Sequence, residues 1–288
     1  MPAPIQPRRS FIFSPGTDPS MFTKALGSGA DIVCVELEDG VAPHDKDDAR
    51  ANMLGIFAAP QADDGVERIV RVNELGSDYG RADLAAIYEA ASPPPALMLP
   101  KVNTAEEVRG VSDKLDELGL PVRLQIIIET NHGLEAAYDI AHASHRIDSL
   151  LFGGVDLAAD LRCEYAWEPL LYARSRVVHA AAAAGVDAID VPWLDLKDFD
   201  GLRQEAEASA RLGFTGKGAI HPNQIEIING IFSPSADEIA HARKIVAAFE
   251  EANTGLVVVD GKLIERPVLR TMERIIAVAD RAAEREGA

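Results

Sequence analysis

Apolar residues along the chain fall into eight short runs, at residues 11–16, 31–39, 68–73, 96–101, 124–130, 150–156, 186–192 and 218–222. Each run ends in polar or turn-forming residues, and the stretch that follows generally has helical character. Helix-like segments are expected at residues 20–28, 46–58, 82–91, 104–118, 133–142, 168–184 and 200–212. The tetrad from Thr104 to Glu107 has capping-box spacing, while Gly119 with Pro121 and Gly185 supply stops. Strands that alternate with helices at this spacing form βαβ units and a parallel sheet. Eight such units favour closure into a (β/α)8 TIM barrel, whose chemistry is built at the C-terminal ends of the strands.

Past the eighth run the pattern changes. Residues 235–252 read as a helix with Ile239, Ala242, Ile245, Val246 and Phe249 on one face. Strand-like residues 256–259, a turn at Asp260-Gly261, residues 263–265 and a last helix over 268–285 follow. We therefore expect a catalytic barrel over residues 1–232 and a C-terminal helical extension over 233–288, which packs on the barrel or reaches a neighbouring subunit.

Composition narrows the setting. The 288 residues, 47% hydrophobic and 26% charged, suffice for one large core. A net charge of -18 argues against a general affinity for nucleic acid or anionic membranes, so an anionic substrate must be drawn by local cations. Two cysteines, Cys34 and Cys163, make no disulfide framework, and no segment approaches the roughly 20 apolar residues of a membrane span. The expectation is a soluble cytoplasmic protein.

The polar strand ends carry the candidate chemistry. Glu129 and Asp156 are expected to end the adjacent fifth and sixth strands, about 5 Å of strand spacing apart. Two hard oxygen ligands with open positions beside them suit Mg2+; either residue alone is equally well accounted for as a cap or ion-pair partner. Arg71 and Asn73 end the third strand beside Glu36, Glu38 and Asp39 of the second. That places a guanidinium fork where it can grip a carbonyl or carboxylate oxygen, or form a structural ion pair at the rim. Lys101, after Pro100 at the fourth strand end, has the same two accounts. His44, His132, His142, His145, His179 and His241 have no metal-ligand spacing.

Many short motifs, in order, resemble one family. They are Arg9 to Gly16 (RSFIFSPG), Leu37 to Pro43 (LEDGVAP) with Lys46 and Arg50, Arg71-Val-Asn73, Leu99 to Val102 (LPKV), Ile128-Glu-Thr130 with Gly133, Phe152 to Ala158 (FGGVDLA) and Ala219 to Gln224 (AIHPNQ). Together they resemble the citrate lyase beta subunit and malyl-CoA lyase branch of the HpcH/HpaI aldolase superfamily, from about Arg9 to the last helix. The resemblance implies a Mg2+-dependent carbon–carbon lyase acting on a β-hydroxyacyl-CoA thioester. Metal-dependent cleavage of free hydroxy-oxo acids, thioester hydrolysis and a non-catalytic subunit are the alternatives. By position, Glu129 and Asp156 would hold Mg2+, Arg71 the reacting oxygens, and Glu38 would orient Arg71 or a water. Phe13, Lys24, Asp190 and Val191 fall where such proteins bind CoA, and His221 takes a supporting role. The resemblance also implies a homo-oligomer, a trimer or hexamer.

Three positions depart from the family pattern. Glu36 stands where many members have Asp, and Asp18 where a malyl-CoA lyase can carry an Arg that contacts CoA. The tail motif Asp260 to Glu265 (DGKLIE) ends in Glu rather than the Asp that, in such lyases, reaches a neighbouring subunit's site as acid or base. Glu265 is accordingly expected to be catalytic.

Overall fold

A computed structural model describes residues 6–252 and 256–286. Eight strands, β1 (Ser10–Pro15), β2 (Ile32–Glu36), β3 (Glu67–Arg71), β4 (Ala96–Leu99), β5 (Arg123–Ile128), β6 (Ile147–Phe152), β7 (Asp187–Asp190) and β8 (Gly216–Ala219), pair in parallel and in sequence order. β8 returns to β1 through Lys217 opposite Ser10 and Gly218 opposite Phe11, closing the barrel. The helices between them are α1 (Pro19–Leu26), α2 (Lys46–Ala58), α3 (Asp78–Glu89), α4 (Ala105–Glu117), α5 (Asn131–Glu135), α6 (Ala137–Ala141), α7 (Gly154–Leu161), α8 (Trp167–Ala184) and α9 (Phe199–Leu212), with α10 (Ile225–Phe232) after β8. The fold is the TIM barrel expected from the eight runs. At the start of α4 the capping box is complete: Thr104 accepts from the Glu107 N–H, and Glu107 accepts from the Thr104 N–H at 2.9 Å.

Alternation along the strands fixes what fills the barrel. Phe11, Ile32, Cys34, Ile69, Ala96, Met98, Ile127, Leu151 and Ile189 form one buried apolar cluster, with Phe13 packed against it. Below it, at the N-terminal end, Arg8 pairs with Glu67, Asp187 and Asp148, and Gln125 donates to Glu67. Moving two residues up from the apolar layer reaches Phe13, Glu36, Arg71, Glu129 and Gly153. The period of two that buries the core thus also sets the parity of the polar layer above it.

Two local expectations are corrected. The sixth run was expected to reach Asp156 as strand, but β6 stops at Phe152, and Asp156 lies in the first turn of α7. Gly153 and Gly154 break the strand there, and a carboxylate in the first turn of a helix is favoured by its dipole. The helix expected at residues 133–142 is divided into α5 and α6 at Ala136, which caps both.

The described residues fall into two compact units, Arg8–Asn229 and a second that begins at Gly230, so the division lies within α10, a few residues before position 232. In the second unit α11 (Ala236–Ala252) is followed by the antiparallel hairpin β9 (Leu256–Val259) and β10 (Lys262–Glu265), then α12 (Arg266–Glu286). Asp260 and Gly261, both with positive φ, make the tight turn a two-residue hairpin requires. Ile245 and Phe249 of α11 pack on Val259 and Ile264, which gives this unit its own small core.

Candidate active site

Arg71, the last residue of β3, is held from three sides. Its Nε donates to Glu36 Oε2 at 2.6 Å, its Nη1 lies 3.2 Å from Glu38 Oε2, and the guanidinium sits 4.5 Å from the centre of the Phe13 ring. Burial would lower the basicity of Arg71, but Glu36 and Glu38 more than offset it, so the group stays charged. Glu36 also accepts from the Glu38 N–H, and a Cβ at Gly40 would come within 2.9 Å of Glu36 Cγ. A side chain at position 40 would therefore crowd the acid at position 36.

Glu129 follows β5 and is 3% exposed. Burial first, then the charges of Glu38 and Asp156, push its carboxyl up to about 8, against the opposing Lys101 N–H and Arg71. The Lys101 N–H donates to Glu129 Oε1 at 2.8 Å, from a residue whose φ of 53 is left-handed. The Lys101 ammonium reaches Glu38 Oε1 at 2.6 Å and Asp39 Oδ1 at 3.3 Å. Lys101 thus ties the acids of the second strand end to that of the fifth.

Gly153 makes the Glu129 conformation possible. A Cβ there would meet Glu129 Cβ at 2.4 Å and Glu129 Oε2 at 2.5 Å, closer than side chains approach one another. Gly153→Ala is expected to displace the carboxylate and reduce turnover about 10- to 100-fold, because placement errors of about 1 Å have effects of this order. Steady-state kinetics beside circular dichroism of the folded variant checks this; unchanged turnover would show that the position of Glu129 is immaterial.

The loop bearing Glu38 and Asp39 has an internal brace. Lys46 Nζ, buried at the start of α2, donates to the carbonyls of Leu37 and Glu38 and to Asn73 Oδ1, all within 2.6–2.7 Å. Asn73 in turn donates through its backbone and side-chain nitrogens to Asp83, which also accepts from Arg50. Sequence reasoning placed Lys46 and Arg50 inside a motif without assigning them a task. The available signal was a lysine and an arginine on the helix directly after an acidic loop.

The remaining expected residues divide. Phe13 lies against Arg71, and Val191 is buried just past β7. Lys24 is exposed in the last turn of α1, whose N-terminus is capped by Asp18 accepting from the Ser20 N–H. Asp190 requires correction as a ligand contact: it is fully buried, and its carboxylate is taken by Lys217, Arg174 and Ser209. It ends β7 on the parity opposite to Ile189, which faces the barrel interior. His221 accepts from the Asn223 N–H and caps the turn after β8. Glu265 is exposed at the end of β10, in the second unit.

Glu36, Glu38, Asp39 and Glu129 thus gather around three cations, Arg71, Lys101 and Lys46, and Asp156 lies close enough to Glu129 for their charges to interact. Glu38 Oε2 is buried without a hydrogen-bond donor in line among the described residues. No group of three or more metal-ligating side chains converges among the described residues. Glu129 and Asp156 are the residues that would hold a divalent cation, whose shell water or substrate would complete and which would offset the surplus charge. That is the usual economy of Mg2+ sites.

Fold and site together define a TIM-barrel lyase, and a profile described as C-C bond lyase of the TIM-barrel fold matches residues 171–277. The chain belongs to the HpcH/HpaI aldolase/citrate lyase family, whose profile matches residues 9–222. It is 33% identical to L-malyl-CoA/beta-methylmalyl-CoA lyase of Cereibacter sphaeroides, over 97% of this chain and 96% of that protein. It is 37% identical to (3S)-malyl-CoA thioesterase of the same species, over 96% of each. Among solved structures, CitE of Mycobacterium tuberculosis in complex with magnesium, acetoacetate and coenzyme A is 30% identical, with a TM-score of 0.76 over 94% of this chain and 97% of that one.

Proposed function

We propose that the protein is a Mg2+-dependent carbon–carbon lyase that cleaves a β-hydroxyacyl-CoA thioester into an acyl-CoA and a 2-oxo acid, or runs the reverse condensation. The observation that supports this is Arg71, fixed by Glu36, Glu38 and Phe13 and close enough to the buried Glu129 for their charges to interact, as Asp156 also does with Glu129. Mg2+ held by those two carboxylates would supply Lewis-acid polarisation of substrate oxygens. Cleavage passes the β-hydroxyl proton to water and breaks the bond between the hydroxyl-bearing carbon, which becomes the 2-oxo carbonyl, and the α-carbon, whose electron pair is shared with the thioester carbonyl as an enolate. Arg71 would face that oxygen with a charge already in place, so little reorganisation accompanies the reaction. The enolate carbon then takes a proton. Glu265, supplied by the tail of a second copy in a homo-oligomer, is the acid we propose for that step. Phe13, Lys24 and the backbone at Val191 are proposed to contact CoA.

The test is a panel of hydroxyacyl-CoA thioesters, including malyl-CoA and citramalyl-CoA, with separate assays for 2-oxo acid and free thiol. Release of 2-oxo acid is expected to fall at least about 100-fold in EDTA and to return with added Mg2+. Full-rate release after metal removal would sink the assignment of Glu129 and Asp156. The 37% identity to a thioesterase favours one second reading, hydrolysis, in which free CoA thiol appears without 2-oxo acid. None of the described helices is long and apolar enough to cross a membrane.

A further inference from the structure

The ends of β4 and β5 are joined by more than the bond from Lys101 to Glu129. Lys101 has a φ of 53, a left-handed conformation that is unfavourable for a residue with a Cβ and persists only where the surroundings fix it. The N–H of this same residue donates to Glu129 Oε1 at 2.8 Å. On its other side the Lys101 carbonyl accepts from Asn103 Nδ2 at 2.9 Å, and Asn103 Oδ1 accepts from Thr130 Oγ1 at 2.7 Å. Thr130 Oγ1 itself accepts from the Gly133 N–H at 2.9 Å, and Thr130 directly follows Glu129 in the chain. The bonds close a ring: from Glu129 to the Lys101 N–H, through Lys101 to its carbonyl, across Asn103 to Thr130, and back along the chain to Glu129.

Each member of the ring is anchored outside it. The Asn103 and Thr104 N–H groups both donate to Glu107 Oε2, so the capping box of α4 fixes the backbone from which the Asn103 side chain extends. Thr130 is the N-cap of α5. Gly133 lets that helix lie against the segment after β4, because a Cβ there would come within 2.3 Å of the Val102 carbonyl oxygen and 3.0 Å of Thr130 Oγ1. The Lys101 ammonium is held by Glu38 and Asp39. Glycine would take the left-handed conformation freely but would forfeit that ammonium, so a lysine here needs its backbone held by neighbours. Of the two Glu129 oxygens, Oε1 is fixed by the Lys101 N–H, and Oε2 lies where Gly153 has no Cβ. We propose, on the reading of Glu129 as a Mg2+ ligand, that Asn103 and Thr130 are positioning residues for the reaction. By holding the Lys101 carbonyl they keep Lys101 left-handed and its N–H on Glu129, which fixes the orientation of the carboxylate that would hold the cation.

Calorimetric titration of the full chain with Mg2+, without substrate, is the test, alongside thermal unfolding in EDTA. Asn103→Ala and Thr130→Val are each expected to raise the Mg2+ dissociation constant about tenfold, the low end of what partners that orient a metal ligand contribute. Thr130→Ser keeps the hydroxyl and is expected to stay within about threefold of the parent. A purely structural role would lower the unfolding temperature and leave the Mg2+ affinity of the folded protein unchanged. Because glycine adopts the left-handed conformation without help, Asn103→Ala is expected to change Mg2+ affinity less than about threefold on a Lys101→Gly background. Unchanged affinity in Asn103→Ala and Thr130→Val, or an undiminished loss from Asn103→Ala on the Lys101→Gly background, overturns the proposal; if Glu129→Gln meanwhile abolishes binding, the metal reading stands without it. Equal titrations of Glu129→Gln and the parent overturn the metal reading, and the proposal falls with it.

Discussion

Arg71→Lys is expected to lower kcat for thioester cleavage by about 100- to 1,000-fold, a loss of about 3–4 kcal/mol in transition-state stabilisation. The charge survives the substitution, so the effect isolates geometry. A guanidinium is a planar fork whose Nε and Nη1 engage Glu36 and Glu38 while its face rests on Phe13. An ammonium has no such fork and presents a single point charge on a mobile stem. The two acids would draw it toward themselves and away from the substrate oxygen. Because the charge on that oxygen develops during C–C cleavage, the loss belongs mainly in kcat. A rise in KM at unchanged kcat would show instead that Arg71 only anchors the substrate.

Glu129→Gln is expected to act in opposite directions on activity and stability. Turnover should fall by at least about 1,000-fold, because a neutral amide is a poor ligand for a hard divalent cation. In EDTA the folded protein should nevertheless become more stable than the parent at alkaline pH. The Glu129 carboxyl is raised in the folded state to about 8 from the ordinary 4.5, by burial and by Glu38 and Asp156. Between those values the native state holds a proton that the unfolded chain has released, so stability is greatest at low pH and declines as pH rises through about 8. Glutamine has no proton to lose and removes that decline. Urea denaturation at pH 5 and pH 9 in EDTA is expected to show the variant gaining on the parent by the order of a few kcal/mol at the higher pH. Equal pH dependence in the two proteins would mean that Glu129 is not the strained carboxyl. Gly153→Ala probes the same carboxylate by crowding rather than by charge.

Much of this was legible from the chain alone. The strand ends named Glu36, Glu38, Arg71 and Glu129, because in a parallel barrel the residues directly after an apolar run lie at one mouth, and a period of two sets which of them share a face. Asp156 was placed at the same mouth but on the wrong element: the apolar character of residues 150–155 runs on past the two glycines that in fact end the strand. Asp190 shows a different limit. It is one residue from Ile189, and that single step reverses its facing, from the barrel interior to the layer where Arg174, Ser209 and Lys217 meet it.

By itself, the sequence determined the eightfold alternation, the separate tail and the chemical types at the mouth. These depend on local period, turn residues and charge, which a linear pattern records. Only the tertiary structure decided that Lys101 spans Glu38 and Glu129, that the bare α-carbon of Gly153 makes room for the Glu129 carboxylate, and that Lys46 braces the acidic loop through Leu37, Glu38 and Asn73. Each of those contacts joins residues from different strands or helices, and distances between them exist only once the barrel has closed and the helices have packed around it.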